Sequence, residues 1–258
     1  MKPSSGARPV RLYAESFAPW CEKARWALDH HQVTYRQIDQ LPLVAEVALR
    51  VATRRLLRRV TMPLLVDGDV VLMSSFDIAR YAESHGGGAP LFPADQEGQV
   101  AAWNERSEAI MTSGRAMLLP RMRRNPQALR EQVPAFVPGV LGPVAQGAAL
   151  LGVGHLMRKY RIRAGEDARH EAESRRALDL LRGALADGRA HVLGDMFSYA
   201  DIAMAAALQF ILPVDGRYIR LGRATREVWT HPRLAADYAD LLTWRDRLYA
   251  TRRWENRI

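Results

Sequence analysis

A single cysteine, Cys21, is all the thiol this 258-residue chain contains. One cysteine makes no internal disulfide, which excludes a disulfide-stapled secreted module and leaves a reducing, cytoplasmic compartment as the expectation. The first nine residues are too short and polar to read as a secretory signal. Histidine is also sparse, with seven residues, of which His30 and His31 are adjacent and the others scattered. That spacing suits no metal site, so none is expected. Lysine is scarce too: nearly all of the 37 basic residues are arginine, against 28 acids, for a net charge of +9. Unopposed base would point to nucleic acid, anionic lipid or an anionic substrate. Here acids are interleaved along most of the chain, the pattern of a solvated surface, and no nucleic-acid partner is expected. Acids are missing from residues 50–59, which carry Arg50, Arg54, Arg55, Arg58 and Arg59. Charge of either sign is missing from residues 133–157, a run long enough to span a bilayer. Three prolines and five glycines interrupt that run. It therefore reads as a loop leading into a buried helix, with a weak membrane contact as the other reading.

What is present divides in two. Residues 10–14 alternate as a strand, and Pro19 stands where a helix begins, a position that tolerates a missing amide hydrogen. Ala24, Trp26, Ala27 and Leu28 continue as an apolar stripe. Residues 33–39 alternate as a second strand, so strand, helix and strand make a parallel unit with a right-handed crossover. A helix is expected over 43–59, then strands at 64–66 and 70–73 joined by an Asp67-Gly68 hairpin turn. Ser74-Ser75 caps a helix from about residue 76, and the glycines after His85 read as a linker. From residue 99 on, every segment reads as helical, roughly 99–125, 144–162, 166–189, 199–212 and 233–253. Ser198 with Asp201 three residues later forms a capping box, and Phe197 with Ile202 a hydrophobic staple.

The Pro19 turn, the Met62-Pro63 step, Asp67-Gly68, the Ser74-Ser75 helix start and the Leu193-Gly194-Asp195…Ser198…Asp201 signature resemble the cytosolic glutathione transferase superfamily. The resemblance implies a thioredoxin-like α/β N-terminal domain (8–86), with a four-stranded mixed sheet in the order β-α-β-α-β-β-α. A linker (87–97) and an all-α helical-bundle C-terminal domain (98–258) would follow. It also implies glutathione as co-substrate, a hydrophobic electrophile in the interdomain cleft, and a homodimer.

Residue by residue, Met62 before Pro63 matches the family's backbone edge for the glutathione cysteine. A cis bond there would turn that edge toward a ligand. Ser75 matches the serine that takes the γ-glutamyl carboxylate at a helix N-terminus, and Ser74 stands where the family usually has an acid. Trp20 borders the turn. The position that usually carries the catalytic residue, directly before the turn proline, is Ala18. That leaves Ser16 and Cys21 as candidate thiol activators, with the helix amides as an activator needing no side chain. Tyr13 is expected to face the core. The sequence thus supports a glutathione transferase. The alternatives are a non-catalytic glutathione transferase-like scaffold or a glutathione-dependent thiol reductase.

Overall fold

The computed structural model describes residues 9–39, 61–133, 138 and 142–253, which divide between two compact units, Met1–Ala94 and Asp95–Ile258. The expected helix over 43–59, with its five arginines, lies outside the described residues.

In the first unit, β1 (Val10–Ala14) leads into α1 (Pro19–His30), followed by β2 (Tyr35–Asp39), β3 (Leu64–Asp67), β4 (Val70–Leu72) and α2 (Ser75–His85). The strands form one sheet in the order β2-β1-β3-β4. β1 pairs parallel with β2, from Val10 opposite Tyr35 to Ala14 opposite Asp39. β3 pairs antiparallel with both β1 and β4. Alternation along β1 sends Tyr13 to a cluster with Leu64, Val66, Ile38, Met62, Val71 and Met73. It sends Leu12 and Ala14, both fully buried, to the opposite face. α1 packs against α2 through stripes that include Ala24, Ala27 and Leu28 on one helix and Ile78, Ala79 and Ala82 on the other, all fully buried.

Two boundaries differ from the sequence reading. The hairpin loop is Gly68-Asp69, one residue later than expected, because Asp67 pairs with Val70. Gly68 takes the left-handed φ of +55° that such a turn requires, and the Asp67 carboxylate accepts a 2.7 Å hydrogen bond from the Tyr81 hydroxyl of α2. β2 begins at Tyr35 because the chain first closes α1. Gln32 turns left-handed at φ +56°, and the Val33 amide donates back to Leu28 O at 2.9 Å, the helix-ending Schellman bond. The glycines after His85 are tied down. Gly87 N donates to His31 O and the His31 ring meets Gly87 O at 2.7 Å, while Leu91 N and Phe92 N both donate to the Glu83 carboxylate.

The second unit is helical: α3 (Glu97–Arg123), α4 (Pro126–Glu131), α5 (Gly142–Lys159), α6 (Asp167–Ala184), α7 (Tyr199–Ala207) with a 3₁₀ turn at Leu208–Phe210, α8 (Arg223–Trp229), α9 (Pro232–Asp237) and α10 (Ala239–Arg252). Every residue of α7 is buried, and α3 packs against both α6 and α7. The helix expected over 199–212 tightens at Leu208, where the buried Arg245 guanidinium donates to the carbonyls of Leu208 and Leu212. The helix expected over 233–253 breaks at Tyr238, whose hydroxyl reaches Asp179 on α6 at 2.6 Å. The helix expected to be buried, α5, is half outside: Val144 and Leu151 are 72% and 73% exposed. Among the described residues no helix is long and apolar enough to cross a membrane.

Gly114, midway along α3, lies directly against Phe210 of the 3₁₀ turn. A Cβ there would lie 2.3 Å from Phe210 Cβ and 2.5 Å from its Cγ, with Phe210 stacked on Trp229 at 4.9 Å. In an open helix Gly→Ala gains about 1 kcal/mol. Here overpacking reverses the sign, and Gly114→Ala is expected to lose about 1–3 kcal/mol in thermal unfolding. A stabilised variant would contradict this packing.

Candidate functional site

Strand direction gathers the site. β1 and β2 run parallel, so Ala14 and Asp39 end at the same edge of the sheet. β3 runs antiparallel and therefore starts at that edge, directly after Met62-Pro63, which is a cis peptide. β4 returns to it and leads through Met73 to Ser74 and Ser75. The turn before α1 and the N-termini of α1 and α2 thus share one edge with Ser16, Trp20, Met62, Pro63, Ser74 and Ser75. Helix N-termini present amides with few internal acceptors and a partial positive charge, so two of them at one edge favour an anion.

The serines differ in what their hydroxyls already do. Ser74 is the N-cap of α2, accepting from Asp77 N at 3.3 Å. Ser75 is the first residue of α2 and is buried. Asp77, the acid of the first turn of α2, is exposed. Ser16 donates its hydroxyl to Asp39 Oδ1 at 2.9 Å, and Gln37 Nε2 holds the same oxygen at 2.7 Å. A hydroxyl whose proton is given to a carboxylate must release that partner before it donates to a thiolate.

Cys21 is the other candidate activator. Its side chain is 1% exposed, and its Sγ accepts from Glu15 N at 3.4 Å. Burial first, and then the negative charge of Glu15, push the thiol up to about 12, with Arg25 acting the other way. A thiol held that high is protonated at neutral pH, and it packs beneath the turn through its contact with Glu15 N. Ala18 N-caps α1 in extended conformation without a side-chain bond, so the position before Pro19 supplies only backbone. Trp20 is half-buried beside it, Met62 packs in the Tyr13 cluster, and Pro63 is buried.

Two groups that shape the turn escaped the sequence reading. Arg25 donates from Nη2 to Ser16 O at 2.7 Å and to Glu22 Oε2 at 2.6 Å, a pair almost wholly buried. Asp39 reaches Ser16 across the sheet. The three-residue spacing of Glu22 and Arg25 on a helix was the available signal for the pair. Nothing local links Ser16 to Asp39, 23 residues away. Among the described residues no group of three or more His, Cys, Asp and Glu side chains is arranged to hold a metal.

Comparison with known proteins gives concordant results over most of the chain. A family model for the glutathione S-transferase N-terminal domain matches residues 12–90, and one for the C-terminal domain matches residues 164–257. No curated protein sequence matches the chain at a significant level. Among solved structures, a glutathione S-transferase of Methylobacterium radiotolerans in complex with glutathione sulfonate is similar at 18% identity and a TM-score of 0.60, covering 94% of this chain and 91% of its own. One from Methylobacillus flagellatus with glutathione bound is similar at 16% identity and a TM-score of 0.59, covering 94% and 95%. One from Ceriporiopsis subvermispora in complex with glutathione is similar at 19% identity and a TM-score of 0.54, covering 95% of each chain. At such identities the likeness is one of fold. With both family models matched in order, one over the sheet unit and the other within the helical unit, the chain belongs to the glutathione S-transferase superfamily.

Proposed function

We propose that the chain binds glutathione at this edge and conjugates its thiol to a hydrophobic electrophile. The observation that carries the reading is that the Met62-Pro63 step before β3 and the α2 N-terminus with its buried Ser75 lie at one edge of the sheet. The donor set fits a small anionic peptide: helix amides and a serine hydroxyl suit a carboxylate, and the Met62 backbone offers one amide and one carbonyl to an extended peptide. Ser75 would hold the γ-glutamyl carboxylate and Met62 the cysteinyl backbone. Similar folds in complexes with glutathione or its sulfonate support the same ligand. The substrate's thiol supplies the nucleophile. The protein lowers its pKa through the α1 amides, with Ser16 contributing once it leaves Asp39. The homodimer and the cytoplasmic setting belong to this reading through the family resemblance.

A second reading, a glutathione-binding scaffold without turnover, is favoured by Ala18 at the usual catalytic position and by the engagement of Ser16 with Asp39. The reductase reading is disfavoured by the buried, protonated Cys21. Titration calorimetry with glutathione and a chromogenic conjugation assay distinguish these readings. The wild type is expected to bind and turn over. Ser75→Ala is expected to bind about 10- to 100-fold more weakly, the worth of a hydrogen bond to a charged group, and Cys21→Ser to keep its turnover. Binding without turnover across a broad electrophile panel selects the scaffold, and no binding of glutathione overturns both.

A further inference from the structure

The apolar run that the glutathione site does not use forms α5, and its outward side is unusual for a surface helix. Val144, Ala148, Leu151 and His155 fall at helical spacing on one stripe and are all exposed, with Val144 and Leu151 more than 70% open. No charge interrupts the stripe until Arg158. From Val144 to Arg158 it runs about 21 Å at the helical rise.

At its end the character changes abruptly. α5 closes with Arg161 in the left-handed region at φ +55° and with Ile162 N donating to Met157 O at 2.8 Å. This turn brings Arg158, Arg161 and Arg163 together with Arg123 of α3 around an open groove of about 510 Å³, which Leu150 and Leu151 also line. Arg123, Arg158 and Arg161 are exposed, and among the described residues none has a carboxylate within ion-pair distance. Arg163 lies within electrostatic reach of Glu166. An apolar stripe followed by unneutralised arginine is the pattern of a helix that lies in a membrane interface. The chain's excess of base has the matching sign for anionic lipid. A partner that is merely apolar leaves the arginines unexplained, and a free anion leaves Val144 and Leu151 unexplained. We infer that the outer face of α5, with the arginines at its C-terminal end, docks the protein on an anionic bilayer surface without crossing it.

Flotation of the full chain with vesicles tests this, comparing phosphatidylcholine alone with phosphatidylcholine containing phosphatidylserine. Partition is expected only with the anionic vesicles and is expected to fall as salt rises. Leu151→Asp should reduce it about tenfold or more, from the loss of one buried leucine and the charge introduced. Arg158→Glu and Arg161→Glu should each reduce it about fivefold or more. All three positions are exposed, so melting temperatures should stay at the wild-type value, and glutathione binding gives a second check of integrity. Absence of flotation overturns the proposal, as does equal flotation with neutral vesicles. It is also overturned if Leu151→Asp splits a dimer in light scattering while leaving vesicle partition unchanged, since the stripe would then join two copies of the chain.

Discussion

Asp201→Ala is expected to destabilise the helical unit by about 3–5 kcal/mol, because it strands several buried donors at once. The Asp201 carboxylate is fully buried. It accepts from Val192 N at 2.8 Å, Ser198 N at 2.8 Å and Ser198 Oγ at 3.1 Å. One side chain therefore does two jobs. It closes the first turn of α7, the most buried helix of the unit, and it holds the incoming loop at Val192 against that turn. Removing it leaves amides without acceptors in a site that water does not reach, and each costs about 1–3 kcal/mol. Asp201→Asn keeps the shape but turns an amide donor toward another donor, so an intermediate loss is expected. Ser198→Ala removes only the hydroxyl's share, about 1 kcal/mol. Thermal unfolding of the three variants should rank them in that order, with Asp201→Ala melting about 10 °C below wild type for a unit of this size. An Asp201→Ala variant within 1 °C of wild type would refute this account of the α7 start.

Glu22→Ala is expected to cost a similar amount, about 3–5 kcal/mol, by removing a carboxylate that the buried Arg25 guanidinium meets directly. Both side chains are at most 2% exposed, and they meet at 2.6 Å. This pair also bears on the site, because the same Arg25 Nη2 holds Ser16 O at 2.7 Å. Stability and site geometry can be separated by the double variant Glu22→Leu/Arg25→Met. Replacing a whole buried pair by apolar groups of similar volume is often neutral or stabilising, so its melting temperature should return near the wild-type value. The tie to Ser16 does not return. Glutathione turnover by the double variant should therefore remain depressed while its stability recovers. If turnover recovers together with stability, Arg25 acts on the fold alone and the turn needs no such clamp.

Whether catalysis survives at this site depends on a small set of contacts. The sequence pattern offered Ser16 and Cys21 as activators, and the structure weakens both for different reasons: one hydroxyl is already donating to Asp39, and one thiol is buried and protonated. What remains unchanged is the backbone. The amides at the start of α1 do not depend on the identity of residue 18, which is how a chain with Ala18 can retain an anion-favouring turn.

The elements that sequence made legible are those governed by near neighbours. The strand alternation of residues 10–14, the N1 proline of α1, the Ser74 cap of α2 and the Ser198–Asp201 start of α7 all follow from side chains within four residues of the backbone they serve. The same locality carried the family resemblance. α8 was invisible for the opposite reason. Its N-cap is Gly222, which has no side chain to signal a start, and its amides at Ala224 and Thr225 are instead met by the Glu131 carboxylate, more than ninety residues away. The break at Tyr238 depends on Asp179 in the same way.

By itself, then, the sequence determined the order of the described strands and of the longer helices, and which residues reach the candidate site's edge of the sheet, because period, caps and turns act over a few residues. Only the tertiary structure decided which of those residues are free to act. Burial sets whether Cys21 can ionise, and a carboxylate on a neighbouring strand claims the Ser16 proton. The turn between β1 and α1 stands at the candidate site, and its chemistry is decided by Asp39 from β2 and by the depth at which the Cys21 thiol is packed.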